Sequence, residues 1–243
     1  MPIKAVLFDM FDTLMLIEKD HEFYSPSLVR MYKYLNKNGV DVSFDTFYKA
    51  YVRARDELYV KADAKLEEPH FNVRVSETLK SLGYDYGVSS SLVAAATAEF
   101  CKKFMTYVYL DENAETVLRS LHGKYKLGII SNFAIPECIH KLLKNHDLDK
   151  LFDVVTISGA VNKRKPSPEI FKSTLKVLGV SSSETVFVGD TVDADIQGPK
   201  AVGMKVVYIE RRVQKQADDA CPDQTIRSLN ELPLALESFC SKC

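Results

Sequence analysis

The run Ile3-Lys4-Ala5-Val6-Leu7-Phe8 is almost wholly apolar and stops abruptly at a carboxylate, Asp9, followed by a tight turn through Asp12-Thr13. An apolar run without alternation reads as a strand buried on both faces, the kind found in parallel sheets packed between helices. In such proteins ligands bind beyond the C-terminal ends of the strands. Asp9 is therefore aimed at a substrate. The residue two positions on, Phe11, bears on which chemistry that carboxylate can perform.

The rest of the chain supports this frame. From Asp111 onward, helical and strand patterns alternate. Helices at 112–122, 135–145, 167–178 and 193–202 precede strands at 126–130, 154–157, 185–188 and 205–209, and a last helix covers 228–239. Alternation of this kind predicts an α/β fold, a doubly wound parallel sheet with helices on both faces. Residues 16–107 hold no convincing strand. They hold four helical stretches instead: one opening at Ser25-Pro26 and ending near Asn38-Gly39, one opening at Ser43 or Asp45, one over 71–82 and one over 89–105. Four helices in series suggest a small bundle. They fall between the first strand and the others, so 16–107 is expected to be an insertion in a core made of 1–15 and 108–243.

The 243 residues carry a net charge of −1, which argues against a nucleic-acid binder. The densest basic cluster, Lys163-Arg164-Lys165, is short and ends at Pro166. No apolar run reaches the roughly 18 residues of a membrane span, and the N-terminus has no signal-peptide pattern. A cytoplasmic protein is expected. The five cysteines are odd in number and widely spaced, which does not suggest a disulfide framework. Cys240 and Cys243 form a CxxC that cannot supply four zinc ligands and reads as a frayed tail. Residues 213–221 read as a polar surface loop.

Four strand ends carry polar groups: Asp9, Ser131-Asn132, Lys165-Pro166 and the segment from Gly189-Asp190 to Asp195. Each has an ordinary reading by itself. Asp and Ser-Asn cap turns and helices, Lys165 could be solvated, and Asp190, Asp193 and Asp195 suit the first turn of a helix. Asp193 keeps that reading. Converging on one crevice, the others offer carboxylates, a hydroxyl and an ammonium, a set suited to a divalent cation and a phosphoryl group.

With these residues, the chain resembles the haloacid dehalogenase superfamily over nearly its whole length. Residues 7–14 resemble the first family motif, Ser131 the second, Lys165 the third, and Gly189-Asp190 with Asp195 the fourth. The helical block matches the position of the family's inserted cap. The resemblance implies Asp9 as a nucleophile forming an aspartyl-phosphate. It implies Mg²⁺ held by Asp9, Asp190 and the backbone carbonyl of Phe11, with Asp195 in support. Ser131 and the Asn132 backbone N–H would hold a phosphate oxygen, Lys165 would neutralise charge, and Thr13 would position the loop.

Family phosphatases usually carry a second Asp two residues after the nucleophile, as proton donor. Phe11 cannot serve, and Asp12 is one position too late, where many members have Gly. Proton transfer is typically worth ~10²–10⁴-fold, so a slow phosphatase is expected. An aromatic at this position resembles the family's 2-haloacid dehalogenases, whose Asp attacks carbon. Those usually lack the Gly-Asp retained at 189–190 and use an arginine near the first motif, for which Arg30 is the nearest candidate. A non-hydrolytic binding or regulatory member is the third alternative. The expected substrate is a small phosphate monoester, with no nucleic acid or membrane partner, in a monomer or homodimer. Specificity should lie in the insertion. There Phe23, Tyr24, Tyr32, Tyr48, Tyr51 and Tyr59 are expected to pack, and His21, Arg53, His70 and Arg74 are candidates to face the cleft.

Overall fold

Strand β1 (Ala5–Phe8) is buried at every position because it lies at the centre of a sheet with apolar layers above and below. Its alternate residues divide between those layers. Ala5 and Leu7 pack with Ile170, Phe171 and Leu175, whereas Val6 and Phe8 pack with Leu118, Ile139 and Leu142. The computed structural model describes residues 2–18, 22–211 and 221–240. His21, Cys243, the Cys240 side chain and the loop at 213–220 lie outside what it describes.

The core elements, in chain order, are β1, β2 (Met15–Ile17), β3 (Val108–Leu110), β4 (Lys126–Ser131), β5 (Val154–Ile157), β6 (Thr185–Gly189), β7 (Lys205–Ile209) and β8 (Gln224–Ile226). Six of them form one parallel sheet in the order β5-β4-β1-β6-β7-β8, flanked by helices. The α/β class expected from the sequence is the class observed. Phe8 pairs with Ile129 on one side and Val188 on the other. This register brings Asp9, Ser131 and Gly189-Asp190 out at the same end of the sheet.

Between β2 and β3 run helices α1 (Tyr24–Lys37), α2 (Phe44–Asp63), α3 (Phe71–Ser81) and α4 (Ser91–Phe104). Ser43 caps α2, its hydroxyl accepting from the Thr46 N–H at 3.2 Å, and Ser90 caps α4 in the same way. The start of α1 differs from expectation. Ser25 is not its cap, because the helix begins at Tyr24 and Pro26 sits inside the first turn, where no N–H is needed. Instead, Ser27 Oγ donates to the Phe23 carbonyl at 2.6 Å.

The antiparallel β2–β3 pair was not foreseen: each strand has only three residues, too few for a period to show. It joins the chain where the helical block leaves the core to the chain where it returns. The short β8 was missed for the same reason. The helix expected at 193–202 is a π-helical turn over Val192–Gln197 followed by a short α-helix, Gly198–Ala201. Among the aromatics expected to pack, Tyr51 is fully buried, but Tyr48 and Tyr59 are exposed.

Candidate active site

The end of β1 feeds a tight turn in which the Leu14 and Met15 N–H groups both donate to the Met10 carbonyl. The turn needs a left-handed residue at Asp12, with φ of 56°, which accounts physically for a preference for Gly there. Asp12 turns its carboxylate toward the Ile17 N–H (3.3 Å). Thr13 is fully buried, with no hydrogen-bond partner for its Oγ1 among the described residues.

Lys165 is 3 % exposed and donates to Asp9 Oδ1 at 2.5 Å and to Asp195 Oδ1 at 2.7 Å. Its backbone is fixed by Asn132. Asn132 Oδ1 accepts from the Lys165 N–H (2.7 Å) and Nδ2 donates to the Lys165 carbonyl (2.9 Å). Sequence reasoning gave Asn132 only a backbone role, since a contact between residues 33 apart leaves no local signal. The basic tripeptide divides its work. Lys163 donates to the Lys65 carbonyl and Arg164 pairs with Asp63, both at the end of α2, while Lys165 turns inward. These basic side chains are committed to contacts within the fold.

Asp195 is held in place by its Oδ2, which accepts the Thr191 N–H at 3.0 Å. Its carboxylate lies so close to Gly189 that a Cβ there would sit 2.5 Å from Asp195 Cγ. Any other residue at 189 would displace it, so the Gly-Asp pair is a steric requirement of this corner. Asp193, by contrast, is exposed.

Carboxylate oxygens of Asp9, Asp190 and Asp195 lie within 4.8 Å of one another. One ammonium faces three buried carboxylates. Burial pushes the Asp9 carboxyl up to about 7, the nearby Lys165 opposing and Asp195 adding to the rise. Burial, then the charges of Asp9 and Asp195, pushes Asp190 up to about 8. Excess negative charge among oxygen ligands fits a hard divalent cation. Beside them, Ser131 is 1 % exposed and its Oγ has no hydrogen-bond partner among the described residues. An unbonded buried hydroxyl is costly unless a ligand completes it. Asp9, Phe11, Ser131, Asn132, Lys165, Asp190 and Asp195 all line one cavity of about 270 Å³.

Phe11 packs against Phe133 (5.0 Å between ring centroids) and against Phe104 of α4 (5.4 Å), so this position ties the core to the helical block. Arg211 was not foreseen. It donates to the Asp12 and Thr13 carbonyls at 3.3 and 3.2 Å and pairs with the buried Asp111 at 2.6 Å, bracing the turn after Asp9. Arg30 is exposed and paired with Glu99, and Arg53 is exposed. His70 caps α3 and meets Glu137 at 3.1 Å. Of the cleft candidates among the described residues, only Arg74 is buried.

The glyceraldehyde 3-phosphate phosphatase of Pyrococcus furiosus is 29 % identical over 97 % of this chain and 92 % of its own. That of Methanopyrus kandleri is 30 % identical over 95 % of each. A phosphatase structure from Thermococcus onnurineus superposes with a TM-score of 0.65 at 28 % identity, covering 96 % and 98 % of the two chains. A 2-haloacid dehalogenase from Pseudomonas syringae pv. Tomato DC3000 reaches 0.75 at 22 % identity, covering 98 % and 99 %, a likeness of fold. The family model for haloacid dehalogenase-like hydrolases matches residues 3–203. With that match and this arrangement of strand ends, the chain belongs to the haloacid dehalogenase-like hydrolase family.

Proposed function

We propose that the protein is a phosphatase acting on a small phosphorylated metabolite, with Asp9 as nucleophile. The observation that carries this reading is the buried network in which Lys165 bridges Asp9 and Asp195 with Asp190 in reach. An ammonium against the attacking carboxylate offsets its repulsion from an anionic phosphate and opposes the burial that raises the Asp9 carboxyl. The two glyceraldehyde 3-phosphate phosphatase relatives support small phosphate esters as the substrate class.

Asp9, Asp190 and the Phe11 carbonyl would hold Mg²⁺, supported by Asp195. Bound there, the ion would supply charge neutralisation between the carboxylates and the phosphoryl oxygens. Asp9 attacks phosphorus, the P–O bond to the alcohol breaks, and an aspartyl-phosphate forms. Water then attacks phosphorus, returning Asp9 and inorganic phosphate. Ser131 Oγ and the Asn132 N–H hold a non-bridging oxygen through both steps. Phe11 donates no proton, so the departing alcohol takes one from water, and turnover depends on the leaving group. Residues 16–107 act as a cap that closes over the site and excludes water.

The test is phosphate release from p-nitrophenyl phosphate and from alkyl and triose phosphates, with Mg²⁺ and with EDTA. Mg²⁺-dependent release, lost by at least ~10³-fold in Asp9→Asn, is expected. Halide release from 2-haloacids without phosphate release would instead favour the dehalogenase chemistry that the aromatic Phe11 suits.

A further inference from the structure

Arg74, on α3, is 7 % exposed, yet no carboxylate among the described residues lies within 4.0 Å of its guanidinium. It is surrounded by aromatics. Its Cζ lies 5.1 Å from the Tyr59 ring centroid, 5.2 Å from Phe71 and 5.7 Å from Tyr51. Its hydrogen bonds all leave from one nitrogen: Nη1 donates to the Tyr51 hydroxyl at 3.1 Å and to that of Tyr24 at 3.3 Å. Nε is buried without a partner. The free edge, Nε with Nη2, is the fork that grips a carboxylate through two parallel N–H bonds.

Arg74 lines a cavity of about 180 Å³ together with Tyr24, Tyr59, Glu68, Phe133 and Asn132. Asn132 also lines the Asp9 cavity, so the two spaces adjoin across the residue that fixes Lys165. Glu68 lies beyond ion-pairing distance of the guanidinium; burial raises its carboxyl, with the charges of Arg164 and Arg74 opposing the rise. A buried cation without an anion is costly, and the aromatic faces and two hydroxyls only soften that cost.

We propose that Arg74 is the specificity-determining residue of the site, and that it captures a carboxylate carried by the substrate at the end away from its phosphate. This rests on the phosphatase reading above. It makes the substrate a small phosphorylated carboxylic acid, bound by Lys165 and Ser131 at one end and Arg74 at the other. The tyrosines at Nη1 fix the plane of the fork before the ligand arrives.

The experiment compares phosphoglycolate with ethyl phosphate, in turnover with Mg²⁺ and in calorimetric binding without it, for wild type, Arg74→Met and Arg74→Lys. Wild type should prefer phosphoglycolate in kcat/KM by at least tenfold, mostly through KM. Arg74→Met should lose that preference, and Arg74→Lys should regain part of it. Equal preference in wild type and Arg74→Met, or an equal loss on both esters, overturns the proposal. If neither ester is hydrolysed but phosphoglycolate binds wild type tenfold more tightly than Arg74→Met, the phosphatase reading falls and the carboxylate site stands. Equal binding there overturns the carboxylate site.

Discussion

Two cations are buried among the described residues, and they are buried in opposite ways. Lys165, in the core, sits between two carboxylates at 2.5 and 2.7 Å. Arg74, in the helical block, faces aromatic rings and neutral hydroxyls. The first is compensated inside the fold, whereas the second keeps a free edge for something that the fold does not supply. The core assembles its charges in advance; the inserted helices leave one open.

Removing each cation gives the largest test of this difference. Lys165→Met strands two buried carboxylates and should cost about 3–5 kcal/mol in urea unfolding at neutral pH. Arg74→Met strands no charge and replaces a desolvated guanidinium with an apolar chain of similar length. Its unfolding free energy should stay within about 1 kcal/mol of wild type, or exceed it. If Arg74→Met proves as damaging as Lys165→Met, the guanidinium is a packing hub and the contrast collapses.

The next effect lies within the core. Asp9 and Asp190 titrate in the folded protein near 7 and 8, against an ordinary carboxylate value of 3.8. The folded state therefore holds protons that the unfolded chain has released. Their stabilising share is complete below pH about 4 and is lost as pH rises through 7 to 8. Metal-free protein should become less stable over that range by a few kcal/mol, and Asp190→Asn should flatten the decline. Thermal melts from pH 5 to 8.5 in EDTA check this. MgCl₂ should restore wild type at the upper end, and not Asp190→Asn.

These contrasts also show what could be read from sequence. The parallel core was legible because β1, β4, β6 and β7 are largely buried apolar runs that give way to a polar residue, and such punctuation survives without knowledge of contacts. Asp9, Ser131, Lys165 and Asp190 were singled out from strand ends alone; the register of β1 brings Asp9, Ser131 and Asp190 together, and Asn132 holds Lys165 beside them. The inserted helices gave no such punctuation. In a bundle, an arginine on a buried face and one on an exposed face share the same helical spacing. Arg30, Arg53 and Arg74 therefore could not be told apart until α1 to α4 were packed. Asn132 and Arg211 act across 33 and about 200 residues, where no local pattern reaches.

Phe11 stands where the two regions meet, and it sharpens the comparison at a smaller scale. Phe11→Asp would place a carboxyl two residues after the nucleophile, at the cost of ring contacts with Phe104 and Phe133. Turnover of ethyl phosphate should rise by ~10²-fold, while p-nitrophenyl phosphate, whose leaving group needs no proton, should change little. Stability should fall by about 1–3 kcal/mol as a polar group replaces the ring. A gain for both esters alike would mean that Phe11 limits something other than proton transfer.

Arg211 offers the smallest expected effect and isolates positioning from chemistry. It touches no residue proposed to contact phosphate. It holds the Asp12 and Thr13 carbonyls and neutralises Asp111, a buried carboxylate at the foot of the returning chain. Arg211→Met leaves that carboxylate unpaired and should cost about 1–3 kcal/mol. Adding Asp111→Asn should recover part of this, because the stranded charge is then removed. Activity should follow a different course. The two carbonyls stay unbraced in the double variant, so a several-fold loss in kcat should persist after stability is recovered, with KM nearly unchanged. If kcat recovers together with stability, Arg211 acts only through its ion pair, and the turn after Asp9 holds its shape without being braced.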